Sequence, residues 1–118
     1  MSADTTADSI SVDMPSDGLR ALRAATHTGG AYVIVEDDAI LQAIATLGGV
    51  GVFSEPAAAT AFAGLQKALA GNLLGADDPA LVLLTGSGLK DVKAAMRAAG
   101  EAPVIAPNLQ ALNNYFNQ

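Results

Sequence analysis

The residues of this chain best suited to chemistry lie in two short stretches, Leu81-Val82-Leu83-Leu84-Thr85-Gly86-Ser87-Gly88 and Ser54-Glu55-Pro56. In the first, an apolar run with no polar alternation leads into a glycine-rich turn. Such a turn at the start of a helix presents backbone N–H groups and the positive end of the helix dipole, a setting for an anion or a polar ring atom. The spacing is neither that of a phosphate-binding P-loop, because Lys90 stands inside the following helix, nor that of a dinucleotide fingerprint. A plain tight turn between strand and helix accounts for the same pattern. In the second stretch a hydroxyl, an acid and a proline read as a capped helix start. They read equally as a carboxylate aimed into a cleft at a strand end.

The remaining candidates are weaker. His27 is the only histidine and there is no cysteine, so neither a metal site nor a thiol nucleophile is expected. Its place at the end of a helix suits an imidazolium against the dipole. Asp37-Asp38 reads as a helix cap and Asp77-Asp78 as a solvated loop tip, without the oxygen-rich pattern of a calcium loop. No Ser-His-Asp arrangement follows from the spacing.

These residues must be positioned by one small domain, since 118 residues leave room for no more. With 51% hydrophobic and 15% charged residues, most of the chain is expected to fold. A net charge of −6 and an isoelectric point near 4.3 argue against nucleic acid and against an anionic membrane surface as partners. Two tyrosines, three phenylalanines and no tryptophan are too few for a base-stacking platform. The mean hydropathy of +0.35 comes from short runs, none near the roughly 18–20 apolar residues that span a bilayer. The acidic start, MSADTTADSISVD, resembles neither a secretory signal nor a transit peptide, so the expected compartment is the cytoplasm.

Along the chain, residues 1–14 read as an extended lead-in stopped by Pro15, and a helix is expected near 17–27, closed by Gly29 and Gly30. Ala31 to Val35 is a β-branched run and reads as a strand. A helix near 38–47 carries Ile40, Ala43, Ile44 and Leu47 on one face. Val50 to Phe53 is a short extended piece, and an alanine-rich helix runs over 56–70. Leu81 to Leu84 reads as a strand buried on both faces, followed by a helix near 89–99. Val104 to Pro107 is a last extended piece, and Leu109 to Phe116 a short terminal helix. The alternation predicts an α/β fold: a partial three-layer sandwich over a mostly parallel sheet, with Val33–Val35 and Leu81–Leu84 as parallel strands. Residues 1–118 are expected to form a single region, with no internal repeat.

Three stretches, in this order and at these distances, carry a resemblance. They are Ala7-Asp8-Ser9-Ile10-Ser11-Val12-Asp13 with Pro15 and Asp17-Gly18, then Gly51-Val52-Phe53-Ser54-Glu55-Pro56-Ala57-Ala58-Ala59 with Ala63-Gly64-Leu65, and then Leu84-Thr85-Gly86-Ser87-Gly88-Leu89-Lys90-Asp91. Together they resemble the C-terminal third of the threonine synthase family, within the tryptophan-synthase-β-like, fold type II group of pyridoxal-phosphate enzymes. The resemblance covers about Asp4 to Leu109. It implies pyridoxal 5'-phosphate as cofactor and the conversion of O-phosphohomoserine and water to threonine and phosphate. It places Thr85 against the pyridine nitrogen, where a neutral partner leaves the ring unprotonated and tempers its electron-sink character. It also places Glu55, Gly86 and Gly88 beside the cofactor, and Asp8, Ser9 and Ile10 as a wall on the substrate side.

The chain departs from the family pattern in lacking its Schiff-base lysine and its phosphate-binding loop, which lie in the N-terminal two thirds. Lys67, Lys90 and Lys93 are the lysines present, and none falls at the Schiff-base position. No residue of this chain is therefore expected to be catalytic, and the chain is expected to be inactive alone. Met1 stands just before the matching region, so a truncated or split reading of a longer enzyme is expected. Its expected partner is the missing N-terminal portion, with self-association as a second kind of partner. A non-catalytic small α/β binding or interaction module, or a relative of threonine dehydratase or cysteate synthase, remain open readings. The faces around Val50–Phe53 and the alanine helix are expected to be apolar and exposed.

Overall fold

Helix formation follows the local signals closely in the computed structural model, which describes residues 3–117. Pro15 halts the lead-in, and α1 (Gly18–Thr28) starts behind it. Gly29 ends α1 in the left-handed conformation, φ 66°, which a residue with a Cβ adopts at a cost. α2 (Asp37–Gly49), α3 (Pro56–Ala70), α4 (Val92–Ala99) and α5 (Leu109–Phe116) complete the set of longer helices among the described residues. Short 3-10 turns occur at Asp8–Ile10 and Gly88–Lys90.

The core is helix on helix. Ile40, Ala43, Ile44 and Leu47 form one buried stripe of α2, at the spacing of a single helical face. Ala59 and Ala63 of α3 and Ala94 of α4 close on that stripe, and Ala7 of the lead-in joins them. The alanines of α3 and α4 present only methyl groups to the larger Ile40, Ile44 and Leu47 side chains of α2, so the large side chains of this interface come from one helix. The alanine helix is thus part of the core, contrary to its expected exposure, whereas Val50, Val52 and Phe53 are exposed as expected. Neither α1 nor α5 contributes a buried residue.

The expected parallel sheet is not formed. Among the described residues the only β pairing is an isolated antiparallel bridge between Ser54 and Ser87. Residues 31–36 and 79–85 are irregular, and Val33–Val35 and Leu81–Leu84 do not pair with each other. The α/β sandwich is therefore corrected to a mostly helical arrangement. The reason is non-local. β-branched sequence favours an extended backbone, but a strand is stabilised only by a neighbour that takes up its N–H and C=O groups. Here each run rests one side on the helical core, through Val35 and Leu84, and leaves the other side open. Leu81 is 88% exposed and Ile34 77%, so Leu81–Leu84 is not buried on both faces.

The molecule is extended. Its radius of gyration is 18.3 Å, against roughly 13–14 Å for a compact domain of this length. Its accessible surface is 9082 Å², against about 5,900 Å² for a folded monomer of 11.8 kDa.

Candidate functional site

The two stretches singled out by sequence meet in space. Glu55 holds the N-cap position of α3, with Pro56 beginning the helix behind it. Its backbone N–H donates to the Gly86 carbonyl (3.1 Å), and the Gly88 N–H donates to the Phe53 carbonyl (3.0 Å). The start of α3 and the turn over residues 85–90 are thereby stitched together through the Ser54–Ser87 bridge.

The glycines have a steric reason. A Cβ on Gly86 would overlap the Glu55 carboxylate and lie 2.7 Å from Glu55 Cγ, while a Cβ on Gly88 would overlap the Phe53 ring. Neither has a positive φ, so close approach rather than backbone conformation requires them. The side of Gly86 on which a Cβ would stand is covered by Glu55, and that of Gly88 by Phe53.

The rest of the turn is explained locally. Ser87 Oγ accepts from the Leu89 N–H (3.3 Å) and caps the 3-10 turn. Asp91 Oδ1 accepts from the Ala94 N–H (2.9 Å) and caps α4. Lys90 Nζ reaches back 3.2 Å to Glu55 Oε1. Sequence reading missed Asp91 and Lys90. The cap was legible, an acid three residues before Ala94 at a helix start. The ion pair was not, since 35 positions separate its partners.

Ser54 and Asp37, expected as helix caps, do not act so. Ser54 Oγ is buried and accepts and donates no hydrogen bond among the described residues. Asp37 lies inside the first turn of α2, with Glu36 at the N-cap position. Its carboxylate instead receives the Thr5 hydroxyl, the Thr6 N–H (2.8 Å) and the Thr6 hydroxyl (3.0 Å). This anchor ties the lead-in to α2, seats Ala7 in the core and fixes the turn Asp8–Ile10, whose three residues are exposed and which packs beside α3.

The Thr5 hydroxyl foremost, then the Thr6 N–H, hold the Asp37 carboxyl below its ordinary range. A carboxylate with a depressed folded-state pKa stabilises the fold above its unfolded value and loses that contribution as pH falls through the folded one. The anchor is expected to persist at pH 6 and to release only as pH falls beneath the ordinary carboxyl range, through the lower folded-state value. Amide exchange at Ala7 followed from pH 6 to pH 2.5 checks this, with Asp37→Asn expected to release the segment already at pH 6. An Ala7 amide that behaves identically in both proteins would contradict the anchor.

Thr85 is exposed directly before Gly86, and its hydroxyl makes no hydrogen bond among the described residues. It is free to serve an external donor or acceptor. Lys67, Lys90 and Lys93 are all exposed, and Lys90 is engaged by Glu55.

The sequence matches the family described as pyridoxal-phosphate dependent enzyme over residues 1–86. The chain belongs to that family. It is also similar to threonine synthases. It is 34% identical to that of Methanocaldococcus jannaschii over 98% of this chain and 29% of the relative. With that of Halalkalibacterium halodurans the identity is 35% over 89% of this chain and 30% of the relative. With that of Methanosarcina acetivorans it is 34%, over 92% and 27%. The chain therefore spans less than a third of the length of the curated relatives it matches.

Family membership implies pyridoxal 5'-phosphate as the cofactor. The chemistry of the residues present is compatible with one edge of it: Thr85 carries a hydroxyl with no partner among the described residues, of the kind a ring nitrogen accepts, next to a turn joined to Glu55 by a backbone hydrogen bond and through Lys90. No helix among the described residues is long and apolar enough to cross a membrane.

Proposed function

We propose that this chain is the C-terminal part of a threonine-synthase-like enzyme acting on O-phosphohomoserine and water to give threonine and phosphate, and that it is inactive by itself. The observation that carries the reading is the match of nearly the whole chain to under a third of a threonine synthase. In the complete enzyme, pyridoxal phosphate supplies an electron sink for charge developing at the substrate α-carbon. The role of this chain is to hold the pyridine nitrogen through the Thr85 hydroxyl. Glu55 and Gly86 fix the turn that carries it, and Gly88 admits the Phe53 ring behind it. Asp8, Ser9 and Ile10 form part of the substrate-side wall. No lysine here is placed to hold the cofactor covalently.

The proposed partner is the lysine-bearing remainder of the enzyme. The surplus of roughly 3,000 Å² of accessible surface on this chain alone exceeds the one-sided share of most obligate interfaces, which bury about 2,000–5,000 Å² or more over both partners. The uncovered sides of Tyr32, Ile34, Leu81 and Leu83 are apolar, as such interfaces require. The proposed compartment is the cytoplasm.

The test is a chimera in which this chain replaces the matching stretch of the Methanocaldococcus jannaschii threonine synthase. It is expected to release phosphate from O-phosphohomoserine, while the isolated chain releases none. Thr85→Val in the chimera is expected to alter the cofactor absorbance and to lower turnover about tenfold, the value of one neutral hydrogen bond of about 1.4 kcal/mol. Borohydride reduction that fixed the cofactor stoichiometrically to one lysine of the isolated chain would overturn the proposal.

A further inference from the structure

Glu55 is 5% exposed, yet it carries a carboxylate. A buried charge needs a partner or it opposes folding. The partner is Lys90, whose side chain is 62% exposed and whose ammonium covers the carboxylate from the solvent side. Three links therefore hold the 86–90 turn to the start of α3. Two are backbone hydrogen bonds, Glu55 N–H to Gly86 and Gly88 N–H to Phe53. The third, Lys90 Nζ to Glu55 Oε1, is made by side chains alone. It bridges the two elements at the far end of the turn, and it keeps the carboxylate lying across Gly86. Thr85 is the residue next to that glycine, with no side-chain bond of its own to set its direction.

We propose that Lys90 is a positioning residue: its ion pair with Glu55 latches the Gly86–Gly88 turn onto the start of α3 and so fixes where the Thr85 hydroxyl stands. The consequence for the cofactor rests on the function proposed above. The latch itself is a property of this chain.

The experiment is NMR on the 118-residue chain, comparing the unaltered protein with Lys90→Met, Lys90→Arg and Glu55→Gln. In Lys90→Met and Glu55→Gln the Gly88 and Glu55 amides should exchange about 3- to 10-fold faster, the scale of a half-exposed charged hydrogen bond. The amide of Ile44 in the core of α2 should be unchanged, which a general loss of stability would not give. The Thr85 methyl signal should move in Lys90→Met. Lys90→Arg should return both readouts to within about twofold of the unaltered chain, since guanidinium also pairs with a carboxylate. Pyridoxal phosphate added afterwards should shift Thr85 in the unaltered chain and less in Lys90→Met. Equal Gly88 exchange and equal Thr85 shifts in the unaltered and Lys90→Met chains would overturn the latch, as would Lys90→Arg behaving like Lys90→Met. Should pyridoxal phosphate leave Thr85 unmoved while the Met and Arg variants still differ, the latch stands and the cofactor reading falls.

Discussion

Ile40→Ala is expected to destabilise the fold by about 3 kcal/mol, within the span of buried large-to-small replacements. Ile40 is 2% exposed and is the largest side chain wholly enclosed by the packing of α2 against α3 and α4. The other buried residues of its core cluster are mainly alanines, which have no torsions with which to fill the space left behind. The cavity therefore persists, and the cost should lie above simple transfer of the lost methyl groups. Urea unfolding followed by circular dichroism measures the change. Leu19→Ala on α1, where the residue is 74% exposed, should change the unfolding free energy by no more than about 0.5 kcal/mol. Equal effects of the two substitutions would mean that the core is not centred on α2.

Gly86→Ala is expected to cost about 1–3 kcal/mol, the range for overpacking. The added Cβ takes the space occupied by the Glu55 carboxylate, which must then leave its buried place and give up Lys90. The effect is specific to that one neighbour, which makes it separable from general intolerance of the turn. Glu55→Ala removes the obstruction. The double variant should therefore be less destabilised than the sum of the single ones, by about 1 kcal/mol or more. Additive behaviour in the same urea titration would show that the carboxylate does not lie across Gly86.

The contrast between Gly86 and Thr85 shows how far sequence carries the candidate site. That Glu55 and the glycine-rich turn belong together was legible from the resemblance, and the stitched backbones of the two stretches agree with their being neighbours. Which surface each glycine presents was not legible. A glycine-rich turn suggests close approach of some partner, and on the side where a Cβ would stand that partner is Glu55 for Gly86 and Phe53 for Gly88. Only the identity of the side chain lying opposite decides this, and that side chain comes from another element.

The sequence by itself determined what neighbouring residues can enforce on one another. Gly29 ended α1, the stripe at 40, 43, 44 and 47 faced the core, and Pro56 opened α3 within the expected limits. Caps, turns and helical periodicity act over one or two turns of chain, so their outcome is written locally. The tertiary structure alone decided the rest. Val33–Val35 and Leu81–Leu84 have the composition of strands and remain unpaired, because pairing depends on another backbone being present at the edge. Asp37 serves Thr5 and Thr6 across more than 30 positions instead of capping its own helix, and Lys90 finds Glu55 across 35. Contacts of this kind depend on where α2, α3 and the turn come to rest against each other. No pattern in a single stretch of residues encodes that arrangement.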